Sequence, residues 1–180
     1  MIRDEDLKSS VDYSEGQKRA AHSVLVELVN IFEEYEDEIR VVGGWVPDLM
    51  FPKEGHVGSV EAERPDGAID VANVSVVAVV PYLIMKTAAM GRGKAKDAYD
   101  IYFIIKHYIG GVRELAKEFE PVRDKNIVIE AKDKLAGKFA SENHAGPKDV
   151  VDFMDLEDEE SIEMTRRDAY EQVQALLNLI

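Results

Sequence analysis

Strand-forming residues occupy one stretch of this chain, and helix-forming patterns fill almost all the rest. Between Ile39 and Val80 the β-branched residues gather in short runs, Ile39 to Val42, Val57 to Val60 and Ile69 to Val80, with Pro65-Asp-Gly67 as a turn between the last two. Ahead of them, Ser14 and Gln17 have the spacing of a capping box. Ala20, Ala21, Val24, Leu25, Leu28, Phe32 and Tyr35 then recur at three and four residues, which predicts a helix over 14–36. Trp45 to Met50 reads as one or two helical turns, and Phe51 to Gly55 as a loop.

From Pro81 onward every periodic segment is helical. Tyr82 to Met90 runs to the break at Gly91-Arg-Gly93, and Ala95 to Tyr108 to the break at Gly110-Gly111. Further helices are predicted over 112–119, over 124–139, from Pro147, and over 161–180, the last with Met164, Val173, Leu177 and Ile180 inward. Strands first and helices after predict an α+β fold: a small sheet within residues 1–90 and a helical domain over 91–180. Residues 1–13 lack periodicity and read as a loose arm.

Composition narrows the function classes. A net charge of −14 repels nucleic acid at long range, which argues against generic coating of DNA but leaves room for a local basic site. The acidic runs Glu33 to Glu38 and Asp155 to Glu160 have the character of solvated helix ends and linkers. With no cysteine there is neither a disulfide nor a thiolate metal site. The longest apolar run, Val74 to Met85, is interrupted by Ser75 and Pro81 and falls short of the roughly 20 residues a bilayer demands. No apolar signal core follows Met1, so the expectation is a cytoplasmic protein without a membrane segment.

Three stretches carry chemistry. Gly43-Gly44 lies between a strand and a short helix, where glycine permits a tight turn or the close approach of a ligand to backbone N–H groups. Gly58-Ser59 is followed by Glu61 and Glu63, which share one face of a strand; such carboxylates either hold a divalent metal or simply face water. The densest positive charge lies in Lys86…Arg92-Gly-Lys94-Ala-Lys96, which runs into Asp97 and Asp100. Lys86 there could neutralise a triphosphate, while Lys96 and Asp100 have the spacing of an ordinary i,i+4 ion pair. His107 has no second histidine at ligand spacing.

Together, "RVVGGWVPDLMFP", "HVGS", "SVVAVVPYLIMK" and "KAKDAYDIYF" resemble the AbiEii-type nucleotidyltransferase toxins of the DNA polymerase β-like superfamily, a similarity that runs into the tail through "KFASENHAGPKDVVDF" and "RRDAYEQV". The resemblance implies a small mixed sheet of nucleotidyltransferase type holding an NTP and Mg²⁺, flanked by helices and followed by a C-terminal helical bundle. It makes Gly43, Gly44, Gly58 and Ser59 nucleotide-binding, Lys86 a site lysine, and Asp97 and Asp100 the Asp-x-x-Asp pair, with Asp97 catalytic. The implied reaction moves a nucleoside monophosphate from an NTP to an RNA, tRNA or protein hydroxyl, and toxins of this kind pair with an antitoxin.

The chain departs from that pattern after Gly58-Ser59, where the family carries an Asp-x-Asp strand and a considerable further stretch. Here only Val-Glu-Ala-Glu separates Ser59 from Arg64. Either Glu61 and Glu63 stand in for the metal aspartates, or they belong to the far side of an internal deletion, the preferred reading because Val60 to Gly67 runs on as one segment. The alternative function is then a catalytically degenerate interaction module that binds a partner protein or forms a homo-oligomer.

Overall fold

The computed structural model describes residues 9–10, 14–35, 38–51, 58–64 and 66–180. Most of the expected N-terminal arm, Glu36 and Asp37, residues 52–55 of the expected loop, His56, Val57 and Pro65 lie outside the described residues. The fold is α+β and mostly helical, and the chain divides at Ala78–Val79 into two compact units.

The first unit is built on α1 (Glu15–Ile31), a 3₁₀ turn (Glu33–Tyr35), the short α2 (Val46–Met50) and the strands β1 (Ser59–Glu63) and β2 (Ile69–Asn73). The expected capping box forms: Ser14 Oγ accepts from the Gln17 amide, and Gln17 Oε1 accepts from the Ser14 amide at 2.8 Å. β1 and β2 form an antiparallel hairpin in the register Ser59–Asn73, Glu61–Val71, Glu63–Ile69. At its turn Arg64 N–H donates to Ala68 C=O at 2.7 Å, Gly67 takes φ +83°, and Arg64 makes a bidentate pair with Asp70.

The expected mixed sheet is reduced to this hairpin. The strand expected at Ile39–Val42 survives as a single parallel bridge between Val41 and Val76. The β-branched run to Val80 also stops being strand early, at Asn73, and helix begins at Val79. Pro81 falls on the third helical residue, where its missing N–H is lost to no intrahelical bond. Val26, Leu49, Val60, Ala72 and Val74 make the small core of this unit. Most of the apolar stripe on α1 lies outside it, because the face turned to the hairpin is Leu25, Val26 and Val29.

The second unit is helical: α3 (Val79–Ala89), a 3₁₀ turn (Met90–Arg92), α4 (Ala95–His107), α5 (Gly111–Phe119), α6 (Asn126–Lys138), α7 (Ala145–Met154) and α8 (Glu159–Leu177). α4 packs on α3, α5, α7 and α8, and is therefore the central helix. Tyr82, Leu83, Ile101, Ile104, Leu115, Phe139, Val150, Val173 and Leu176 are sealed from solvent around it. Of the positions expected inward on the last helix, Val173 is buried, but Met164 is 58% exposed, since the face of α8 turned to α4 and α7 is set by Ala169, Val173 and Leu176. No described helix is long and apolar enough to cross a membrane.

Candidate functional site

Sequence spacing places Asp97 and Asp100 one turn apart at the N-terminal end of α4, on one face. Gly93, in the left-handed region at φ +76°, turns the chain from the 3₁₀ segment into that helix and folds α4 back along α3. The result brings Lys86, eleven residues upstream of Asp97, between the two carboxylates. Its Nζ donates to Asp97 Oδ1 at 2.8 Å and lies 2.6 Å from Asp100 Oδ2. Lys96 Nζ reaches the other oxygen of Asp100 at 3.1 Å, and the Arg92 guanidinium stands 3.5 Å from Asp97 Oδ2.

This cluster is buried. Side-chain exposure is 11% for Lys86, 4% for Asp97 and 1% for Asp100, rising to 28% for Lys96 and 66% for Arg92. Charge is thus graded from an enclosed lysine–carboxylate core to a cationic rim. Burial opposes the charged form of Lys86, but attraction to Asp100 and Asp97 outweighs it and holds the ammonium above its ordinary range. Neither Asp97 Oδ2 nor Asp100 Oδ2 accepts a hydrogen bond among the described residues; the close Lys86–Asp100 contact is ionic, outside hydrogen-bond geometry. Each of these two oxygens instead faces a cation, Asp100 Oδ2 the Lys86 ammonium and Asp97 Oδ2 the Arg92 guanidinium.

The glycine-bearing residues belong to the first unit. Gly43 takes φ +93°, and a Cβ there would meet nothing, so its requirement is the turn itself. Gly58 is different: at φ +74° an added Cβ would sit 2.9 Å from the Val74 carbonyl. Its N–H donates to Leu49 C=O at 3.0 Å and its C=O accepts from Val74 N–H, so its backbone is already engaged in holding α2 to the hairpin. Ser59 follows as the first residue of β1, opposite Asn73. Glu61 and Glu63 share the exposed face of β1, opposite Val71 and Ile69. Among the described residues no group of three His, Cys, Asp or Glu side chains is placed to hold a metal ion.

Sequence reasoning missed a second polar cluster. Tyr102 OH donates to Asp168 Oδ2 at 2.5 Å, and Lys106 Nζ donates to both at 2.7 Å, tying α4 to α8. Burial, reinforced by Asp168, pushes the Tyr102 phenol up to about 12. The i,i+4 spacing of Tyr102 and Lys106 was legible; Asp168, in a helix far along the chain, gave no signal at all.

Comparison with known protein families, curated proteins and solved structures finds no match for this chain.

Proposed function

We propose that this chain handles a nucleoside triphosphate in the manner of the nucleotidyltransferases it resembles, transferring a nucleoside monophosphate to an RNA or protein hydroxyl. The observation carrying this reading is the cation-rimmed cluster on α3 and α4. In a chain of net charge −14, Lys86, Arg92 and Lys96 gather around Asp97 and Asp100. An enclosed lysine held ready between two carboxylates, with a guanidinium at its edge, is a receptor for a polyanion that can share its protons. Asp97, catalytic by the resemblance, would take the proton of an acceptor hydroxyl as its oxygen bonds to the α-phosphorus and pyrophosphate leaves.

Glu61 and Glu63, two carboxylates on one open strand face, would be the residues to hold Mg²⁺. The ion, when bound, would neutralise phosphate charge. Toxin activity restrained by an antitoxin is part of the same proposal.

The test is transfer of label from an α-labelled NTP in Mg²⁺, with RNA and protein acceptors, beside direct NTP binding. Arg92→Ala, at an exposed position, should weaken binding without unfolding the chain, and Lys86→Ala should abolish transfer. Absence of NTP binding at millimolar concentration in Mg²⁺ would sink the reading.

A further inference from the structure

Helix α1 is apolar on more of its circumference than the hairpin covers. Leu25, Val26 and Val29 pack inward, yet a second stripe stands in solvent: Val24 55% exposed, Leu28 45%, Ile31 71%, and Tyr35 51% in the following 3₁₀ turn. With half-buried Ala21 these positions are spaced three, four, three, four. That is the seam a helix presents to another helix, and a face of this kind left open marks an interaction site. Phe32, 45% exposed, widens the seam at its C-terminal end.

Charge selects the occupant. Glu27 and Glu34 flank the seam by spacing and Glu33 and Glu38 follow in the chain, all exposed, and among the described residues none of the four is in an ion pair. A second copy would set this acidic border against its own likeness in a chain already at −14, and an anionic bilayer would be repelled in the same way. We propose that the outer seam of α1 docks a basic amphipathic helix of a partner protein, its apolar stripe on Val24, Leu28, Ile31 and Tyr35 and its lysines or arginines against the glutamates. This surface is independent of the lysine–aspartate cluster, and the proposal stands whether or not the chain turns over nucleotide.

The probe is a fluorescent peptide of about three heptads, with leucine at the a and d positions and lysine at e and g. A scrambled peptide of identical composition serves as control. Anisotropy against the full chain should show saturable binding of the patterned peptide, weakening with salt, and at least about tenfold weaker binding of the scrambled one. Leu28→Glu with Ile31→Glu should cut affinity by about tenfold or more. Glu27→Gln with Glu34→Gln, which leaves the seam intact, should weaken binding severalfold and flatten its salt dependence. Equal binding of both peptides, or indifference to both variant pairs, overturns the proposal. So does a dimer on sizing that Leu28→Glu dissolves, which would give the seam to a second copy. Adsorption of the chain to zwitterionic vesicles, lost in the same variant, would give it to lipid.

Discussion

The two units solve the same problem with unequal means. Among the described residues, the unit from Val79 surrounds α4 with helices and seals eleven large side chains completely; the unit ending at Ala78 sets one helix on a two-stranded hairpin and fully seals little beyond Val46. Among the described residues, nine of the fifteen exposed large hydrophobics fall before residue 79, although that unit is the smaller. A hairpin and a helix make a single layer contact, so each has an outer face with nothing of its own unit against it. The contrast teaches where stability and where binding surface reside: the helical unit spends its apolar residues on itself, the other leaves them available.

Unfolding with two probes can break this comparison. Trp45, the one tryptophan, reports the first unit through its packing beside His22, while far-UV circular dichroism reports mainly the helices. The fluorescence transition is expected at lower denaturant than the helical one; coincidence of the two would refute the inequality. The largest effect should come from Phe139→Ala, which removes a fully buried ring packed on Gly146 and is expected to cost about 3–5 kcal/mol in the helical transition alone.

Next comes the buried ion cluster. Lys86→Met strands Asp97 and Asp100 and should cost about 3–5 kcal/mol, read from the helical midpoint. Adding Asp97→Asn and Asp100→Asn should restore part of that loss. If the single variant is as stable as the parent, the cluster is not a closed electrostatic unit.

Gly58→Ala should act on the other side of the comparison. The added methyl meets the Val74 carbonyl in a left-handed backbone conformation, at an expected cost of about 1–3 kcal/mol confined to the Trp45 transition. The smallest effect concerns pH. Tyr102 keeps its proton in the fold to about 12, above its ordinary value near 10, so it supports the helical unit fully below pH 10 and loses that contribution between pH 10 and 12. Tyr102→Phe should flatten the alkaline slope of stability in that window, with phenolate absorbance as the check. Asp168, which burial pushes up but Lys106, Tyr102 and Gln172 pull below its ordinary range, works in the opposite sense, losing its contribution as pH falls below about 4.

How much of this was legible follows from the range of the forces involved. Helices were readable because their periods and caps are local: Ser14 and Gln17, the Gly93 break and the Gly110-Gly111 stop all appear where the sequence puts them. The Lys86–Asp97–Asp100 grouping was legible in part, since two members share a helix and the third lies just across one turn. Strands were over-read between Val74 and Val80, because β-branched residues describe a buried surface as well as a strand. Tertiary partners decide between the two, and neither Asp168 nor the outward turn of Met164 leaves a local trace.

The parallel bridge joining Val41 to Val76 has a consequence in polymer terms. Val41 N–H donates to Ser75 C=O at 2.7 Å and Val77 N–H donates to Val41 C=O at 3.0 Å, so the chain between them is a loop tied at its mouth. The entropy of closing such a loop grows only with the logarithm of its contour, about 0.6 kcal/mol for each doubling. A tie at the mouth is therefore nearly indifferent to the length of chain it encloses, and residues added at the turn between β1 and β2 would cost the Val41–Val76 bridge little.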